Sequence, residues 1–372
     1  RTGARTRFEY DALNRIVAQT DGRGGVTRFR YDMAGNEIAR IDARGQITRY
    51  AYDAAGRLTE TVDALGNVTR TTYDALGRTI GLLRPDGATI AQRYDAAGQL
   101  IAVINGAGLT TRYSYDETGN RLTTTAPGGQ MVTTSYDAMG RPLEVRDDIG
   151  VRQRISYDAV GNRIAETDGS GLNTTYSYDA ARRLVDVRDP AGRTTTLRYD
   201  AVGNRIAVEG PDGATTQFSY DRRNQLVRET DPNGNTVQYA YDGAGRRIAM
   251  IDALGVTTRW EYDAVGNLTA VTLNAVADAQ PNHEVNVTTR FSYDAVGNRT
   301  AITNPNGHTT TFTPDPLGRL RAEVDPLGQR TEYVYDALGR EVERREPNGR
   351  IVLSTYDRAD RLIETHYVAE GE

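Results

Sequence analysis

The sequence predicts an all-β protein: antiparallel β-hairpin repeats of 21 residues, laid side by side into a curled or spiral hollow β-shell. Three observations carry this prediction: a fixed period, two turn motifs in every period, and aromatic residues that, Tyr367 apart, fall in two columns.

The period is set by Tyr-Asp. It recurs at Tyr10, Tyr31, Tyr52, Tyr73, Tyr94, Tyr115, Tyr136, Tyr157, Tyr178, Tyr199, Tyr220, Tyr241 and Tyr262, always 21 residues apart. The register then slips by ten and resumes at Tyr293, Tyr335 and Tyr356, with Pro314-Asp315 in the slot between. Seventeen units therefore fill residues 1–372 as a single continuous array. No composition shift or linker divides it, and each hairpin is expected to lean only on its neighbours.

Each unit carries two turns. The first is Asp-x-x-Gly directly after the Tyr, as in Asp53-Ala54-Ala55-Gly56. An Asp side chain accepts from the backbone N–H two residues on, and Gly supplies the positive φ that leaves the turn. Asn14, Asn224 and Asp360 replace that Gly with residues that tolerate a left-handed backbone. Arg182 does not fit and is expected to mark an irregular turn. The second turn comes about ten residues later, as Asp42-Ala43-Arg44-Gly45 or, with Pro, as Asp231-Pro232. About six residues remain between turns, a length for strands and not for helices.

The strand pattern follows. Two residues before the Tyr stand Phe8, Phe29, Tyr50, Tyr113, Tyr176, Phe218, Tyr239, Trp260, Phe291, Phe312 and Tyr333; all five Phe and the only Trp lie in this column. Positions i and i+2 share a strand face, so one face is an aromatic ladder. On the return strand an apolar residue recurs seven after the Tyr, for example Val17, Ile38, Ile80, Ile101 and Ile164. The expected unit is a hairpin with one apolar face.

Seventeen hairpins make about 34 strands, and at about 4.8 Å spacing their sheet is roughly 160 Å along its contour. A sheet this wide must curl, split or close. A ring of that circumference is about 50 Å across, too wide for side chains to fill. The lean 38% hydrophobic content agrees with a wall around a void better than with a filled core.

Charge narrows the partners. The net charge is −5, which argues against a nucleic-acid binder or an anionic-membrane binder. All 45 basic residues are Arg, set against 50 acidic residues, so a polar face laced with Arg–Asp/Glu pairs is expected. No run approaches the 18 apolar residues of a membrane span. With no Cys, disulfides and thiolate metal sites are impossible. The chain begins and ends in mid-repeat and reads as a piece of a longer shell protein.

Two departures interrupt the array. A ten-residue insertion near residues 273–286 lengthens one turn, and Asn282, His283 and Glu284 within it are the candidate binding residues. Pro314, which cannot donate to a ladder, is expected to weaken pairing locally and mark a bend.

No catalytic constellation emerges. The Asp row lacks the Gly-Gly-x-Gly-x-Asp pattern of calcium solenoids, and turn capping accounts for it. His283, His308 and His366 fall in different units. There is no Gly-x-Ser-x-Gly elbow, and without Lys there is no phosphate loop of the Gly-x-x-x-x-Gly-Lys type. No enzyme activity, cofactor or metal is expected.

Tyr-Asp-Ala-x-Gly-Asn/Arg at this period resembles the YD (RHS) repeat of bacterial Rhs and wall-associated proteins, the B/C subunits of insecticidal Tc toxins, and animal teneurins. The resemblance covers residues 1–372. It implies a strip of hairpins spiralling into a hollow shell, secreted or at the cell surface. In the bacterial members the shell encloses a toxic C-terminal polypeptide. In teneurins it is an adhesion scaffold, so a cell-surface glycan or protein is the alternative partner. Asp315-Pro316-Leu317-Gly318 and Asp325-Pro326-Leu327-Gly328 imitate part of the family's Asp-Pro self-cleavage motif but sit in repeat turn slots, and are expected to be turns.

Overall fold

A computed structural model describes residues 5–277, 279–282, 284–357 and 359–369. It contains 34 β-strands in one sheet, numbered here in chain order from β1 (Arg7–Tyr10) to β34 (Leu362–Ala369). Consecutive strands pair antiparallel. β3 (Val26–Tyr31), for example, lies between β2 (Ile16–Thr20) and β4 (Glu37–Ile41). The chain forms two compact units. One comprises residues 93–103 and 109–257; the other comprises the residues up to 92, residues 104–108 and residues from 258 on.

Every hairpin is closed by the same turn. At Asp53 the backbone N–H donates to the Arg57 carbonyl at 3.0 Å, and Gly56 N–H returns to the Asp53 carbonyl at 2.9 Å. Gly56 has φ 74°, the left-handed conformation that a residue with a Cβ adopts only at a cost. Asn14, Asn224 and Asp360 take the same conformation, at 62°, 61° and 66°. So does Arg182, at 61°, within a turn bonded like the others: its N–H reaches the Asp179 carbonyl at 2.9 Å. The turn at Arg182 is therefore regular. The repeat's backbone frame overrides the residue's local preference, and the strain is held in one residue.

Where the outgoing strand reaches its Tyr, the ladder carries a β-bulge. Arg30 pairs with Ala39 but Tyr31 with Glu37, leaving Ile38 without a partner. This shift recurs from Tyr10–Ile16 in the first hairpin to Tyr356–Leu362 in the last. It changes the expectation for the apolar column seven after the Tyr. Ile38 is 37% exposed and Ile80 39%, because the extra residue is pushed out of the pleat. The best-covered column is the next one, Ala18, Ala39, Ala102, Ala270 and Ala322. Ala39 is the pairing partner of Arg30 and of Arg49, so it lies beneath two long side chains on the polar face.

The ring columns are as anticipated. In β5 (Ile47–Tyr52), Tyr50 and Tyr52 are half-buried while Arg49 and Ala51, which alternate with them, are exposed. Among the described residues no large side chain is fully buried. Stability here comes from lateral contacts between successive hairpins, not from a second layer packed on the sheet.

Pro314 ends β29 (Thr309–Pro314) and pairs with Leu320, and Thr313 pairs with Ala322. The register matches that of the Tyr-containing hairpins, so the expected local weakening does not extend to the pairing. The ring closes the strand where no N–H is required of it.

Candidate functional site

The chemistry-bearing side chains converge on one constellation, repeated at each junction between hairpins. It begins with the turn Asp. Asp11 Oδ1 accepts from the N–H of Leu13 at 2.9 Å and of Arg15 at 3.0 Å. Asp11 Oδ2 takes the Arg15 guanidinium, with Nε at 2.7 Å and an Nη at 2.7 Å. The other face of that guanidinium works on the next repeat: Nη1 donates to the Asp32 carbonyl at 3.0 Å, and the plane lies 4.8 Å from the Tyr31 ring centroid. Arg57, Arg141, Arg183, Arg319 and Arg340 repeat this stacking over Tyr73, Tyr157, Tyr199, Tyr335 and Tyr356. A planar fork that bonds sideways and stacks with its face is an Arg property that Lys lacks, which gives the all-Arg composition a physical reason. In other repeats the slot holds Asn, as with Asn36 Nδ2 donating to Asp32 Oδ2 at 2.9 Å, or Gln, at Gln99 and Gln225.

The repeat Tyr completes the clamp. Tyr31, Tyr52 and Tyr73 donate their hydroxyls to the carbonyls of Ile16, Glu37 and Leu58 in the preceding hairpin, at 2.8, 2.9 and 2.8 Å. Tyr115, Tyr136, Tyr178, Tyr199, Tyr220, Tyr241, Tyr335 and Tyr356 do the same. Tyr293 spans the insertion to reach Leu268 at 2.8 Å. Tyr10, Tyr94, Tyr157 and Tyr262 occupy the same strand-end position. The aromatic period was legible in the sequence. The hydroxyl bond was not, although an invariably hydroxylated ring in one column, against Phe in the other, was its trace.

These carboxylates are held ionised. Two side-chain donors, Asn120 and Thr118, bring Asp116 down to about 2. Asn204 lowers Asp200, and the Arg84 guanidinium lowers Asp360. None is poised as a proton donor near neutrality. Among the described residues no group of three or more His, Cys, Asp and Glu is placed to hold a metal ion. His308 caps with its N–H on Asn304 Oδ1, and His366 lies 3.8 Å from Glu364. Clefts occur as gaps between neighbouring hairpin ends, such as that lined by Arg330, Glu332, Arg345 and Arg350. Asp315 and Asp325 cap turns, accepting from the N–H groups of Leu317 and Leu327.

The insertion connects β26 (Leu268–Leu273) to β27 (Val287–Tyr293), and the ladder closes at Leu273–Val287. Asn286 Nδ2 donates to the carbonyls of Val276 and Ala279, and Asn274 Nδ2 to that of Glu284. Asn282 accepts from the N–H groups of Glu284 and Val285, so its side chain caps the loop. His283 lies outside the described residues.

A second set of contacts joins turns distant in sequence. Arg23 Nη1 and Nη2 fork onto the carbonyls of Asp294 and Ala295, at 2.9 and 3.1 Å. Arg44 forks onto those of Asp315 and Pro316, at 3.1 and 2.9 Å. Arg84 meets both carboxylate oxygens of Asp360, at 2.7 and 3.0 Å. Second turns near one end of the chain thus dock on first turns near the other, within one compact unit.

A family profile described as RHS Repeat matches thirteen stretches, most of them overlapping, that together cover residues 10–89, 94–131, 157–275 and 285–372. None of the curated proteins compared matches this sequence. Solved structures share the fold. The crystal structure of TcdB2-TccC3 without its hypervariable C-terminal region is similar at 17% identity and a TM-score of 0.70, over 96% of this chain and 24% of that one. TcdB2-TccC3 itself gives 16% and 0.62, over 98% and 24%. The Photorhabdus luminescens Tc holotoxin pore, carrying a mutant TccC3, gives 15% and 0.50, over 95% and 26%. The chain thus spans about a quarter of the length of the solved chains it matches.

Proposed function

Because the chain belongs to the RHS-repeat family, we propose that it is a non-catalytic wall segment of a bacterial Rhs-type shell, enclosing a toxin polypeptide carried by the same protein or complex. The observation that supports this reading is the inter-hairpin clamp. Tyr, Arg and Asp, the groups with most chemical potential in the sequence, are spent on joining each hairpin to the next. What remains is an extended sheet whose polar face carries Arg–Glu pairs, such as Arg70–Glu60 at 2.6 Å and Arg154–Glu144 at 2.8 Å. Such a surface suits containment: its charges are paired with one another, which leaves few of them to grip an enclosed polypeptide. A secreted or cell-surface location is part of the proposal and rests on the family alone.

The test uses the full reading frame that contains these repeats. A polypeptide following them is expected to resist an added protease while the repeats are intact. It becomes cleavable when several clamps are opened together, for instance by Tyr178→Ala, Tyr199→Ala and Tyr220→Ala. Equal cleavage of that polypeptide with and without the repeats would remove the containment reading.

A further inference from the structure

We propose that the Arg84–Asp360 pair determines which repeats meet when the two ends of this array dock, while Arg23 and Arg44 supply adhesion that is indifferent to that choice. The distinction rests on what each Arg grips. Arg23 and Arg44 each fork onto two successive backbone carbonyls of a first turn. Every first turn presents the same carbonyls in the same geometry, since every one is closed by the same backbone bonds. A slip of one repeat toward the start of the chain would offer Arg44 the Asp294 and Ala295 carbonyls that Arg23 now grips, and Arg23 those of the Asp263 turn. Contacts to a uniform backbone position a surface without identifying it.

Arg84 differs because its partner is a side chain that only one repeat carries, whereas the carboxylates 3.7 Å from Arg23 and Arg44, those of Asp263 and Asp294, are the turn Asp that recurs in every repeat. Asp360 occupies the left-handed slot of its turn, at φ 66°, where the preceding repeats carry Gly318 and Gly339. It is the one carboxylate in that slot of any repeat in the sequence. A bidentate guanidinium–carboxylate pair is geometrically selective, and Arg340 Nη1 braces the same carboxylate at 2.9 Å. Slipping by one repeat would place Arg84 opposite Gly339. It would then lose its partner and face Asp86, 3.3 Å away in its own turn, alone. An Asp in a left-handed slot costs backbone strain, and the selective pair supplies the compensation. This inference stands whether or not the repeats enclose a polypeptide.

The chain has no cysteine, so paired nitroxide labels on Thr89→Cys and Leu362→Cys, both exposed, report the docking distance by pulsed electron resonance. The otherwise unaltered chain is expected to give one narrow distance. Asp360→Gly restores the common residue of the slot and leaves the turn unstrained. It is expected to add a second discrete distance, displaced by two strand spacings, roughly 10 Å. The reciprocal exchange, Arg84→Asp with Asp360→Arg, should return the single distance. Both halves have precedent in this chain: Asp opens most second turns, and Arg182 already occupies the slot at φ 61°. Circular dichroism confirms the strand content of each variant. An unchanged single distance in Asp360→Gly overturns the proposal, as does a broad featureless distribution, which would make the pair merely adhesive. Failure of the exchange to improve on Arg84→Asp alone also overturns it.

Discussion

The Tyr199 hydroxyl donates to the Leu184 carbonyl at 2.8 Å, and the Arg183 guanidinium lies 4.9 Å from the centre of the same ring. Leu184 and Arg183 belong to the preceding hairpin, so one side chain is held from both sides by its neighbour. Arg183 also bonds the Asp200 carbonyl at 2.8 Å. The junction is a unit of three groups, and its parts are separable by mutation.

Tyr199→Phe removes only the hydroxyl bond and keeps the stacked ring. The expected loss is about 0.5–1.5 kcal/mol. Tyr199→Ala also removes the ring's burial and its cation–π contact, itself worth about 0.5–1 kcal/mol, so the loss should be clearly larger. Hydrogen exchange should show faster opening confined to β18 (Leu184–Arg188), β19 (Thr194–Tyr199) and β20 (Arg205–Glu209). Uniform loss of protection along the chain would contradict hairpin-by-hairpin support.

Arg182→Gly should stabilise the protein. The present residue stands at φ 61°, where Gly is unstrained. The relief of about 1–2 kcal/mol is partly offset by the greater freedom of Gly in the unfolded chain, about 0.5–1 kcal/mol. A net gain of roughly 0.5–1 kcal/mol should appear in urea unfolding. Gly203→Arg, the same exchange reversed one repeat on, should lower stability.

Acid should unfold the array through its turns. Asp116 has a folded pKa of about 2 against an ordinary 3.8, so the folded form binds fewer protons between those values. Its contribution is fully present above about pH 4 and is lost as pH falls toward 2. Asp32, Asp158, Asp200, Asp231 and Asp294 are lowered too. Strand signal in circular dichroism should therefore fall steeply below pH 4. Asp116→Asn should reduce stability at pH 7 while making its residual pH dependence shallower.

Replacing residues 274–286 by a short Asn-Gly turn should leave the sheet intact, because the ladder already closes at Leu273–Val287. Loop-closure entropy changes only slowly with length, so the stability change should stay within about 2 kcal/mol. Loss of binding to a cell-surface glycan on this deletion, with unfolding unchanged, would make the loop a contact surface.

The period, the hairpins and both turns were legible because each rests on local chemistry: Asp capping, a left-handed Gly, and rings two residues apart. What escaped was set by pairing across strands. The covered Ala18, Ala39 and Ala322 carry no strong apolar signal; their place in the ladder puts them opposite longer side chains, Arg28 for Ala18, Arg30 and Arg49 for Ala39, and Thr313 and Glu332 for Ala322. Arg15 reads locally as a partner for Asp11; its second role on Tyr31 becomes visible only once the hairpins lie side by side. Arg23 and Asp294 are 271 residues apart, a separation no window reveals. Arg182 misled because its residue type was weighed without the neighbours that impose its backbone.

Most of the joints between hairpins end on main-chain oxygens: Tyr hydroxyls on one carbonyl, Arg Nη1 on another. A joint that addresses only the polypeptide backbone does not ask which residues its neighbour carries. Whole hairpins can therefore be duplicated, dropped or shuffled by recombination without redesigning the seam. Selection then remains free to vary the arginines and glutamates of the polar face, and the length of the strip becomes a trait that drifts in steps of one module.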